Sequence, residues 1–165
     1  MRQAEIKGRK ALILDPLSSV WGSQSHSVQT IEEMIKYAKE NPNLLLVVDE
    51  SALSFDRYDP TQFWVAKVSR HNGHSSIFIG QNLPDIPKGV RTQCTQIFIF
   101  GCSRTDGRQL ADEFDDDRIL MASKMPRLHF VRIFQGVPAT MGKVNPQNMT
   151  ISIAGPAPQK LLKKA

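Results

Sequence analysis

Apolar runs long enough to cross a bilayer are missing from this 165-residue chain, and its first residues hold no apolar segment of the secretory kind. Both absences argue for a cytoplasmic protein. Cysteine is scarce: Cys94 and Cys102 are the only two, each within or beside an apolar run. That count excludes a disulfide framework and suits buried free thiols in a reducing compartment. Histidine is also too sparse for a zinc set. His71 and His74 stand three apart without a cysteine nearby, and His26 and His129 are distant, so loop histidines are expected. No arrangement of Ser, Cys and His marks a nucleophilic triad.

What is present is ordinary in bulk. Hydrophobic residues make up 41% and charged residues 22%, so a chain of this length can build one domain with a core. The formal charge of +5 tilts it toward a polyanionic partner. Part of that excess sits at the ends, in Arg2, Lys7, Arg9 and Lys10 and in Lys160, Lys163 and Lys164. Solvated tails and nucleic-acid contacts both fit those termini.

Apolar strands alternate with helical stripes. Ala11–Leu14 reads as a short buried strand closed by Asp15-Pro16, and residues 17–29 as a loop. Thr30, with Glu33 three residues on, marks the start of a helix running to about Glu40, stopped by Asn41-Pro42-Asn43. Leu44 to Val48 is a buried strand. Asp59 or Thr61 starts a second helix carrying Phe63, Trp64 and Arg70, which Asn72-Gly73 ends. Residues 75–80 form the next strand, ending on Gln81, and Thr95–Phe100 another. A helix over about 105–114 ends in the acidic knot Asp112, Glu113, Asp115, Asp116 and Asp117, read as solvated surface. Leu128–Phe134 is a last strand. Residues 1–135 are thus expected as one α/β core, an open, mostly parallel three-layer sheet with helices on both faces, and 136–165 as a loose Pro/Gly/Lys-rich extension.

The stretch Leu44-Leu45-Leu46-Val47-Val48-Asp49-Glu50 carries the chemistry. A buried parallel strand delivering two carboxylates beyond its C-terminal end resembles the Walker B strand of P-loop nucleotide hydrolases, in which Asp49 would hold the Mg²⁺ shell and Glu50 would polarise the attacking water. A pair of acids capping a solvent loop is the alternative. By the rule that ligands bind past the carboxyl ends of parallel strands, Asp15, Asp49, Glu50 and Gln81 emerge on one rim. The partner motif, G-x-x-x-x-G-K-[ST], is nowhere in the 165 residues.

From Arg70 to Pro87, the order of an arginine, a glycine, a hydrophobic strand, a terminal glutamine and a proline-bearing loop follows the Walker B-like strand. This order resembles the FtsK–HerA group of DNA-pumping P-loop ATPases, particularly the viral genome-packaging branch and the filamentous-phage assembly proteins of the zonula occludens toxin type. The likeness spans about residues 11–134. It implies a RecA-like core, ATP and Mg²⁺ as cofactors, and Asp49 and Asp15 on the nucleotide. It further implies Glu50 as the water activator, Gln81 as the sensor of the terminal phosphate, and Arg70 or Arg91 as an arginine reaching a neighbouring subunit's nucleotide. Double-stranded DNA, a homo-oligomeric (hexameric) ring and a capsid or portal component are the implied partners, in a host cytoplasm or a virion. In that group the glycine-rich phosphate loop precedes the strand that here begins at Ala11, so it is expected upstream of Met1. A non-hydrolysing accessory subunit and a filamentous-phage assembly ATPase are the alternative readings.

Overall fold

Three four-residue segments align strand on strand. In the computed structural model, which describes residues 8–19, 21, 25–54, 56 and 59–156, β1 (Ala11–Leu14) pairs in parallel with β3 (Leu45–Val48), and β3 with β4 (Ser75–Phe78). The register sets Leu14 beside Val48 and Val48 beside Phe78. β2 (Ser25–Val28) adds in parallel to the far side of β1, giving the order β2-β1-β3-β4. β2 falls inside the stretch expected as loop. Its sequence, Ser-His-Ser-Val, carries no apolar run, because an edge strand is held by its ladder and by the His26 ring, which stacks on Tyr37 with centroids 4.7 Å apart.

The chain divides into two compact units after Cys94, not at the boundary near 135 that the sequence suggested. In the first unit α1 (Ile31–Glu40) covers one face of the parallel sheet. Thr30 and Glu33 form the expected capping box, and Ile31, Met34 and Ala38 pack on Leu12, Leu14, Leu46 and Val48. Burying each such leucine or valine contributes about 1.5–3 kcal/mol. Val65 reaches the same core from α3 (Trp64–Lys67), a short helix flanked by the 3₁₀ turns Pro60–Phe63 and Ser69–Asn72. Asp59 caps this broken helix, and Gly73, at φ 77°, ends it.

The second unit is antiparallel. β5 (Gln96–Ile99), β6 (His129–Phe134), β7 (Val137–Asn145) and β8 (Thr150–Pro156) form a meander, with α5 (Arg104–Phe114) and a 3₁₀ segment (Asp117–Lys124) between its first two strands. The α/β class is as expected, with the parallel sheet in the first unit. The loose extension is corrected as far as Pro156. Gly142, one of the residues that suggested looseness, lies under the Phe130 ring, and a Cβ there would come within 2.3 Å of that ring. Within the acidic knot, Asp116 accepts from the backbone N–H of Ala139 at 2.7 Å and pairs with Arg118 at 3.1 Å. Residues 1–7 and 157–165, with Arg2, Lys7, Lys160, Lys163 and Lys164, lie outside the described residues.

His74 is a core residue. It is 5% exposed; its Nδ1 accepts from the Leu44 N–H at 3.1 Å, and its Nε2, 3.1 Å from the Ala38 carbonyl, is therefore the protonated nitrogen of a neutral ring. Burial, reinforced by the Arg9 charge, holds its pKa below the ordinary 6.5, against the opposing pull of the Ala38 and Leu44 backbone bonds. The unfolded chain therefore binds a proton that the folded chain refuses. Stability contributed by neutral His74 is complete above pH 6.5 and falls as pH drops below it. A melting temperature that declines from pH 7 to pH 5.5 in the parent and stays flat in His74→Gln is the expected outcome; parallel curves contradict it.

Candidate active site

The parallel register brings the three strand ends to one rim. The Asp49 N–H donates to the Leu14 carbonyl and the Ile79 N–H to the Val48 carbonyl, each extending the ladder by one step. Beyond it the chain turns sharply at Glu50, whose φ of 44° is left-handed, a conformation that costs a non-glycine residue roughly 1–2 kcal/mol. The turn is held by the Ser51 N–H on the Ile79 carbonyl at 3.0 Å and the Leu53 N–H on the Glu50 carbonyl at 2.8 Å. It leads into the single turn α2 (Ser51–Ser54).

Glu50 and Gln81 meet there. Gln81 Nε2 donates to Glu50 Oε1 at 2.9 Å, thirty-one residues apart in the chain. The glutamine is itself fixed from behind: Asp85 accepts from the backbone N–H groups of Gln81 and Asn82 at 2.8 and 2.6 Å. Gly80 lets this turn lie close, since a Cβ on it would stand 3.0 Å from Asp85 and 3.1 Å from Ile86. Asp85 was not foreseen, although Asn82-Leu83-Pro84-Asp85 has the spacing of a capping box, which the structure forms.

The other expected residues separate. Asp49 is half-buried at the rim, one carboxylate oxygen accepting from the Glu50 N–H at 3.0 Å, and its position suits the water-mediated Mg²⁺ role. Asp15 shares the rim, but its buried carboxylate serves its own loop, accepting from the Leu17 N–H at 2.9 Å, the Ser19 N–H and the Trp21 Nε1–H at 2.8 Å. The Trp21 bond, with the two backbone bonds, holds its pKa below the usual carboxylate value despite the opposing effect of burial. Its three donors make it an organiser of the loop. Arg91 is only 6% exposed, and its Nη1 donates to the carbonyls of Leu83 and Ile86. That removes it as an arginine for a neighbouring subunit: α4 (Lys88–Arg91) folds its guanidinium back over the 83–86 turn, whose carbonyls need donors. Arg70 is exposed, in the turn that precedes β4, and so at the opposite end of that strand from Gln81.

Ser51, unforeseen, has a fully buried hydroxyl with no partner among the described residues. No group of three metal-ligating side chains occurs among them either. A Mg²⁺ held mainly by phosphates and waters, with a single carboxylate outside its water shell, fits that donor set; an all-protein metal cage does not. Clefts of about 600 and 630 Å³ flank α1, and Glu50 and Gln81 line neither.

The fold is similar to that of solved viral genome packaging NTPases. The genome packaging NTPase B204 of Sulfolobus turreted icosahedral virus 2, solved with AMPPCP, superposes with a TM-score of 0.60 at 16% identity, covering 92% of this chain and 84% of that one. The same protein with ATP-gammaS gives 0.61 at 16% identity over 91% and 83%. B204 described as the DNA-packaging ATPase of Sulfolobus turreted icosahedral virus gives 0.59 at 14% identity over 90% and 83%. No protein-family profile matches the sequence, and no curated protein does. Among the described residues no helix is long and apolar enough to cross a membrane.

If Asp85 fixes Gln81, Asp85→Ala should cost about 1 kcal/mol of stability and remove the hydrogen-exchange protection of the Gln81 and Asn82 amides. Unchanged protection at those two amides would show the turn to be held by other interactions.

Proposed function

We propose that this chain supplies the water-activating half of an ATP hydrolysis site, in a motor that moves double-stranded DNA as in viral genome packaging. The observation that carries the reading is the Gln81–Glu50 bond at the rim where the parallel strands end. A carboxylate at that place polarises a water, and an amide touching it has both a donor and an acceptor to orient that water against a terminal phosphate. Asp49, one residue earlier, would hold Mg²⁺ through its waters; the metal would supply charge neutralisation on the phosphates.

The phosphate cradle has a place to come from. Among the described residues β4 is the end strand of its sheet, with Ile77 and Ile79 more than two-fifths exposed. A further parallel strand on that edge would deliver its following turn to the rim beside Gln81. Arg70, far from its own Glu50, would serve the nucleotide of the next copy in a homo-oligomeric ring. Capsid or portal contacts belong to the same reading. The filamentous-phage type would keep the chemistry and change the substrate. An accessory subunit that never hydrolyses ATP is favoured by one observation alone, the missing cradle motif.

Glu50→Gln in the native assembly should lower ATP turnover by about 100-fold or more with nucleotide binding intact. Arg70→Ala should also abolish turnover, and mixing it with Glu50→Gln should restore part, since each copy then lends what the other lacks. Undiminished turnover in Glu50→Gln refutes the enzymatic reading; failure of the mixture to recover refutes the role of Arg70 between copies.

A further inference from the structure

The charges of the second unit are sorted by end, and on α5 they run mostly against the helix dipole. Arg104 and Arg108 are exposed in its first two turns, whereas Asp112 and Glu113 sit in its last, followed by exposed Asp115 and Asp117. Only Asp106, bonded to Ser103, stands in the favourable sense. Aligned peptide dipoles favour the reverse order by roughly 0.3–1 kcal/mol per charge. A helix that forgoes this stabilisation invites a reason outside the fold.

The rest of the unit brings more cations to the same end. The 3₁₀ segment returns along α5, with Ser123 Cβ 4.0 Å from the Cβ position of Gly107, so Lys124 arrives beside the Arg104–Arg108 turns. Arg127 follows in an exposed turn, its carbonyl 3.1 Å from His129 Nδ1, and Lys143 lies opposite His129 in the β6–β7 ladder. None of these five cations makes an ion pair among the described residues. From Arg118 onward the sequence contains no Asp or Glu at all. Leu128 is exposed among them, and Phe100, Ile151 and Ile153 are exposed on the adjoining strand ends.

We propose that Arg104, Arg108, Lys124, Arg127 and Lys143 form a nucleic-acid phosphate-binding surface that grips the DNA backbone without reading its sequence. Long cations from separate segments, without an ion pair among the described residues and mostly in a stretch of chain free of carboxylates, suit a row of phosphates. This surface would take the DNA in the function proposed above, and so rests on that reading. Its test needs neither nucleotide nor hydrolysis, so it fails or stands separately from the Glu50–Gln81 site.

The experiment is fluorescence anisotropy of a labelled duplex of about 30 base pairs, titrated with the full protein at salt concentrations from about 50 to 200 mM. The variant is Arg104→Gln/Lys124→Gln/Lys143→Gln, all at exposed or half-exposed positions, with its melting temperature checked against the parent. The logarithmic salt slope should fall by about 0.9 for each phosphate that is no longer neutralised, between two and three in all, equally for unrelated sequences. Asp112→Asn/Asp117→Asn should not weaken binding. Three results overturn the proposal: no duplex binding by the parent at the lowest salt, a slope unchanged in the triple variant, or unchanged binding with the triple variant dissociating in sedimentation. The last would make this end a contact with the acidic end of a second copy.

Discussion

The register of β1, β3 and β4 is the constraint on which the first unit depends. Because Leu14, Val48 and Phe78 stand abreast in parallel strands, the residues that follow them leave the sheet together. A slip of one residue would turn Leu12, Leu14, Leu46 and Val48 away from α1 and would move Asp49 off the rim. The packing that specifies the register is therefore also what positions the acids. Stability and site geometry share one cause here, the packing of short apolar parallel strands against α1.

Around that rim the chain accepts local costs. Glu50 adopts a left-handed backbone, and the Ser51 hydroxyl is buried without a partner among the described residues. Behind Gln81 runs a relay of fixed contacts: Arg91 holds the carbonyls of the 83–86 turn, that turn presents Asp85, and Asp85 holds the Gln81 backbone. The result is a glutamine whose side chain meets Glu50 from a braced position. Bracing of this kind is what orienting a water against a phosphate requires, because an error of an ångström at such a place is costly in rate.

The legible parts were those governed by local chemistry. The Thr30 capping box, the apolar run into Asp49-Glu50 and the glutamine ending the next strand are each written within a few consecutive residues, and each lies where the pattern put it. What stayed hidden depends on distant partners. His74 reads as a loop histidine until Leu44 and Ala38 close on it, and Arg91 reads as an arginine for a neighbouring subunit's nucleotide until its own turn folds under it. β2 has no apolar signature because its ladder with β1 and the His26–Tyr37 stack hold it. β7 was obscured by Pro138 and Gly142, and the glycine proves to mark a close approach by Phe130.

If the rim at Asp49, Glu50 and Gln81 faces a nucleotide, a bound one must perturb those residues first. The most direct measurement is a heteronuclear NMR titration of the native-length protein with a Mg²⁺ complex of a non-hydrolysable ATP analogue, following the Gln81 side-chain amide and the backbone amides of Asp49 to Ser51. These resonances should shift together and saturably, while those of the second unit's basic end stay in place. Saturable shifts confined to other parts of the chain, with the Gln81 amide unmoved, would contradict a nucleotide at this rim.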